Sequence, residues 1–149
     1  MPQSFASIHL HIIFSTKDRA PMIDPDLAPR LFDYIGGIVR ERGCKLIEAG
    51  GMPDHVHLLV SVNREVTVSG LVRDIKANSS AWVHEIFPGR LFAWQSGYGS
   101  FSVSQSLLPS AQAYIQNQTK HHATMSFQDQ FLQLLRKHQI EFDERYVWD

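Results

Sequence analysis

The chain has a single cysteine, Cys44, in 149 residues. No internal disulfide can staple it, which suits a reducing cytosol, and Cys44 is expected to pack as a small apolar residue. There is no excess of either charge: 14 Lys+Arg stand against 15 Asp+Glu. A protein that grips duplex DNA non-specifically does so by neutralising many phosphates, so any nucleic-acid site here has to be local. No apolar run approaches a bilayer span, and the N-terminus lacks the basic segment and apolar core of a secretory signal. The expectation is a cytoplasmic protein with no membrane partner. Internal repeats and low-complexity tracts are also missing. With 44% hydrophobic residues, residues 1–149 are expected to form one domain around one core.

What is present is a strand, helix, strand, strand, helix, strand, helix pattern. Residues 5 to 15 alternate, with Ile8, Leu10, Ile12 and Phe14 on one side and His9, His11 and Ile13 on the other, the period of a first strand. Asp24-Pro25 opens a helix over about 26 to 42, along which Leu27, Leu31, Ile35 and Ile38 repeat until Gly43 stops it. Cys44 to Ala49 reads as a second strand. Gly50-Gly51-Met52-Pro53 reads as the turn of an antiparallel hairpin into Asp54-His55-Val56-His57-Leu58-Leu59-Val60. Thr67 or Ser69 caps a second helix, which carries Leu71, Val72, Ile75, Trp82 and Ile86 inward up to Pro88-Gly89. Arg73 and Lys76 lie off that stripe; a solvated face is slightly favoured for them over phosphate contact. Trp94 to Val103 reads as a fourth strand with a glycine-marked irregularity, its aromatics serving core packing or base stacking equally well. A third helix is expected from about Pro109 to His122, and a last one opens at Ser126 and buries Phe127, Phe131, Leu134 and Leu135. The tail from Asp143 to Trp148 reads as structural. The βαββαβ order predicts an α+β, ferredoxin-like antiparallel sheet with both main helices on one face.

That order leaves the opposite face of the central strands open, and the His pair is expected to face a cleft there. In a strand, His55 and His57 point the same way, and two imidazoles on rigid backbone can reach one divalent cation. The motif alone is weak, since eight His in 149 residues give roughly 0.4 His-x-His by chance. Indeed His9-Leu10-His11 repeats it, and there the polar side of a half-buried strand is the expected role. On the third helix, Gln118 lies about 40° and His121 about 20° from Tyr114 around the axis, so a phenol and a carboxamide share a face. If that helix crosses the His face, Gln118 can supply an oxygen ligand and Tyr114 can attack an electrophile polarised by the cation. A phosphodiester suits this arrangement.

Pro53 to Leu59 followed by Tyr114-Ile115-Gln116-Asn117-Gln118 resembles the HUH-type single-tyrosine transposases of small bacterial insertion sequences, with the REP-associated tyrosine transposases close by. The resemblance extends over Phe14-Ser15-Thr16-Lys17, Trp94-Gln95 and the Phe127 to Trp148 region. It implies a metal-dependent endonuclease and strand transferase acting on single-stranded DNA near hairpins. His55, His57 and Gln118 would bind Mg²⁺ or Mn²⁺, Tyr114 would form a 5′-phosphotyrosine, and the protein would work as a homodimer in which the third helix can dock on the partner's His site. Arg73, Lys76 and His121 are candidate DNA contacts. Two rival readings stand beside it: a domesticated module of the same fold that binds hairpin DNA without cutting, and a zinc hydrolase using His55, His57 and either His9 or His121.

Overall fold

A computed structural model describes residues 3–118 and 125–148. A four-stranded antiparallel sheet in the order β2-β3-β1-β4 is built from β1 (His9–Ser15), β2 (Lys45–Met52), β3 (His55–Ser61) and β4 (Gly99–Ser102). Helices α1 (Leu27–Glu41) and α2 (Val68–Ile86) lie on one face. The opposite face carries α3 (Leu108–Gln116) and α4 (Phe127–Lys137). This is the expected βαββαβ order, with β1 and β3 in the centre.

Local chemistry accounts for the helix ends. Asp24 Oδ1 accepts from the Leu27 amide at 2.8 Å, and Gly43 leaves α1 at φ +71°, a conformation open to glycine. Thr67 accepts from the Gly70 amide at 3.1 Å to cap α2, and Ser126 does the same for Asp129 at 3.2 Å at the start of α4. Against α1 and α2 the sheet presents Ile12, Phe14, Val56, Leu58 and Val60, with Leu31, Ile35, Leu71 and Ile75 facing them, all fully buried. Each such side chain contributes about 1.5–3 kcal/mol by leaving water.

Four boundaries differ from expectation. The first strand begins at His9, because Phe5 and Ile8 stay exposed. Gly50-Gly51-Met52 is strand, not turn: Met52 pairs with His55 and Gly50 with His57, so the reversal is made by Pro53-Asp54 alone. The glycine at 50 answers a packing need. A Cβ there would stand 2.7 Å from the Ile115 carbonyl oxygen of α3, so the bare backbone lets α3 seat on β2 beside the His strand. The fourth strand is only Gly99–Ser102 with a lone bridge between Thr16 and Trp94. Between them the carbonyls of Gln95, Ser96 and Gly97 turn to the Lys76 ammonium at 2.8, 3.3 and 2.7 Å and leave no ladder. Finally α3 ends at Gln116, where the Asn117 amide and side chain both donate to the Ala113 carbonyl, at 3.0 and 2.8 Å; residues 119–122 of the expected helix lie outside the described residues.

Candidate active site

Strand alternation sets the site's floor. Val56, Leu58 and Val60 take the helix-packed face, so His55, His57 and Leu59 take the other. The imidazoles do not line an open cleft as expected: both are 0% exposed, roofed by α3 and α4. His55 stacks on Phe127 of α4 with 4.6 Å between ring centroids, and His57 meets the Tyr114 ring edge-on at 5.8 Å.

Each imidazole is anchored at Nδ1 and aimed with Nε2. Asp54 Oδ1 lies 2.8 Å from His55 Nδ1, and His11 Nε2 lies 2.7 Å from His57 Nδ1. His55 Nε2 then faces Gln118 Oε1 at 3.3 Å, and His57 Nε2 faces Gln130 Oε1 at 3.2 Å. The Gln118 amide is oriented by its NH₂, which donates to the Tyr114 carbonyl at 3.1 Å. With the Asp54 carboxylate accepting the Nδ1 proton, His55 turns a lone pair toward the Gln118 oxygen.

The donor set fits a divalent ion. A small octahedral cation about 2.1 Å from its ligands sets neighbouring ligands about 3 Å apart, near the 3.3 Å between His55 Nε2 and Gln118 Oε1. The Asp54–His55 pair is the outer carboxylate–histidine arrangement that orients metal-binding imidazoles. Among the described residues, no group of three His, Cys, Asp or Glu could hold a metal. The zinc-hydrolase set with His9 therefore does not assemble.

Tyr114 completes the cluster: its hydroxyl accepts a short hydrogen bond from Gln130 Nε2. Burial pushes the phenol's pKa up, while the hydrogen bonds from Gln130 and Gln118 pull the other way. Tyr114 and Gln118 do meet, although α3 stops two residues short of Gln118.

Two members of the cluster escaped the sequence reading. His11, expected on a polar strand face, is 6% exposed, and burial, helped by the charge of His138, pushes its pKa down to about 4. The register explains its place: His11 sits opposite Leu59 and Ile13 opposite His57, so His11 is the diagonal neighbour of His57 on the same face. Gln130 is 1% exposed within the apolar stripe of α4. A polar residue between Phe127, Phe131 and Leu134 is a signal the sequence did contain.

The candidate DNA contacts separate. Arg73 is exposed near Asp74. Lys76 is not on a solvated face: its ammonium serves three loop carbonyls and lies 5.0 Å from the Phe14 ring centroid, and burial lowers its pKa to about 8. His121 lies outside the described residues. Of the fourth-strand aromatics, Trp94 packs edge-on against Phe14 and donates to Ser79 at 3.0 Å, and Phe101 is buried. Core packing therefore holds those two, and Tyr98 stays partly open.

A family described as "Transposase IS200 like" matches residues 4–118. The ISDra2 transposase TnpA of Deinococcus radiodurans is 28% identical over 119 residues, covering 74% of this chain and 84% of that protein. A crystal structure of a candidate transposase from Deinococcus radiodurans R1 superposes with a TM-score of 0.63 at 26% identity, over 79% of this chain and 98% of that one. A REP-associated tyrosine transposase bound to a REP hairpin shares the fold, with a TM-score of 0.61 at 14% identity, over 84% of this chain and 74% of that one.

Proposed function

Because the chain belongs to the IS200-like transposase family, we propose that it cleaves and rejoins single-stranded DNA beside hairpins, with Tyr114 as the nucleophile. The observation that carries this reading is the convergence of the Tyr114 phenol, the His55 and His57 imidazoles and the Gln118 carboxamide in one buried cluster on the sheet face away from the main core. The chemistry is a transesterification. Tyr114 Oη forms a bond to the scissile phosphorus and loses its proton, the bond from phosphorus to the 3′ oxygen breaks, and that oxygen leaves as a 3′-OH. A 5′-phosphotyrosine remains, and attack by another 3′-OH reverses the step and joins strands. No nucleotide cofactor is consumed, since the covalent link keeps the bond energy.

A phenol with an ordinary pKa of about 10 is a weak nucleophile at neutral pH. His55, His57 and Gln118 would hold a Mg²⁺ or Mn²⁺ ion, which when bound supplies charge neutralisation at a phosphate oxygen. Two imidazoles incline the set toward Mn²⁺. Gln130 and Gln118 donate toward the phenol and oppose the cost of charging its oxygen in a buried place. Asp54 and His11 hold the two imidazoles in orientation.

The hairpin as partner is supported by the REP hairpin carried by the structural neighbour; the homodimer is supported by the family resemblance. Both belong to the proposal. The test is labelled single-stranded hairpin DNA on a denaturing gel with Mn²⁺. A protein-linked strand that vanishes in Tyr114→Phe and in EDTA is expected. A retarded but uncut strand on a native gel, with no linked product, would favour the non-cleaving module.

A further inference from the structure

Gln130 interrupts the apolar stripe of α4, where Phe127, Phe131 and Leu135 are buried beside it. Burying a carboxamide is costly unless its N–H and C=O groups find partners. The partners it finds among the described residues are His57, Tyr114 and Gln118. Its orientation follows from a chain of bonds. The Tyr114 carbonyl fixes the Gln118 NH₂, which turns Gln118 Oε1 toward Gln130 Nε2, 3.5 Å away. The Gln130 NH₂ therefore lies on that side, where it also donates to the Tyr114 hydroxyl, and its oxygen faces His57 Nε2 at 3.2 Å. A flipped amide would set two carboxamide oxygens against each other. The family match ends at residue 118, so α4 contributes from outside the matched part of the chain.

We infer that Gln130 is a positioning residue that holds the Tyr114 phenol oxygen beside the His57 imidazole, so that the nucleophile is presented by a helix outside the matched residues 4–118. The inference rests on the proposed role of Tyr114. A side chain that aims a nucleophile acts on the rate of the bond-forming step, not on DNA affinity, and loss of aim by an ångström costs up to about a hundredfold.

The experiment compares Gln130→Leu, which removes the whole carboxamide, with Gln130→Glu, which keeps the length and an oxygen but offers the phenol no N–H. Both should form the covalent adduct about 10–100-fold more slowly in single turnovers at saturating hairpin DNA with Mn²⁺, with half-saturating DNA changed by less than about twofold. In ¹³C-tyrosine-labelled, DNA-free protein, the Tyr114 Cζ resonance, assigned through Tyr114→Phe, should move in both variants. Mn²⁺ affinity of the DNA-free Gln130→Leu protein should stay within about threefold, because His55, His57 and Gln118 remain, whereas lost metal-site support typically costs about 10–100-fold. Wild-type adduct rates in both variants would overturn the inference. Faster adduct formation would overturn it too, since the contact would then restrain the phenol, and so would a tenfold loss of Mn²⁺ affinity, which would make Gln130 a ligand. If the wild-type protein forms no adduct, the Tyr114 chemistry itself fails. The Cζ resonance then still decides the contact: an unmoved signal in Gln130→Glu, which keeps the side chain's length, refutes it.

Discussion

The two faces of β3 are equally dry and chemically opposite. Val56, Leu58 and Val60 meet α1 and α2, and His55 and His57 meet α3 and α4; all five are 0% exposed. On the first face burial alone is favourable. On the second, each imidazole needs a partner at both nitrogens, and the structure supplies Asp54 and Gln118 to one, His11 and Gln130 to the other. One strand thus separates a face that stabilises from a face that positions groups for reaction. Neighbouring residues on it should respond to mutation in different ways.

The largest loss of stability should come from the apolar face. Leu58→Ala is expected to cost about 2–5 kcal/mol, read as a lowered midpoint in urea. The surviving folded protein should keep its Mn²⁺ affinity. A loss of cation affinity at unchanged stability would mean that the faces are not separable.

Acid should act on the other face. His11 is held near pKa 4 by burial, against about 6.5 in the unfolded chain. Between those values the unfolded state binds more protons, so stability falls as pH drops from about 6.5 to about 4 and then levels, by up to about 3 kcal/mol in all. Above pH 6.5 this contribution is constant. Denaturation of metal-free protein as a function of pH, wild type against His11→Gln, should show the acid-side slope shrinking in the variant. Equal slopes would remove His11 as its source.

One residue from Leu58, His57→Ala should cost less stability, about 1–3 kcal/mol for a lost hydrogen-bonding group and the His11 partner left behind. It should nevertheless abolish measurable cation binding and adduct formation. Unfolding with unchanged metal affinity would make His57 a buried structural histidine. The smallest effect belongs to neither face: Thr67→Ala removes the cap of α2 and should cost about 1 kcal/mol, with adduct formation unaltered.

Much of this division was legible in the sequence because it depends on local periodicity. The alternation in β3, the helical stripes and the caps at Thr67 and Ser126 fix which residues turn inward. Groups that join the site through non-local packing were harder to see. His11 belongs to it through strand register, which places it diagonal to His57, and no local pattern distinguishes it from His9. Gly50 reads as a turn until Ile115 of α3 is seen against its backbone. Lys76 reads as solvated until residues 95–97 wrap its ammonium. Gln130 was the one legible omission, a polar residue in an otherwise apolar stripe.

The central claim, that the polar face delivers a tyrosine to a phosphodiester, is tested most directly by locating the covalent bond. The protein should be trapped with hairpin DNA and Mn²⁺, digested with nuclease and protease, and its peptides sequenced by mass spectrometry. A nucleotide remnant is expected on Tyr114, and none in His57→Ala. A remnant on Tyr98 or on any other residue, or cleaved DNA with no protein-linked species in the trapped sample, would contradict it.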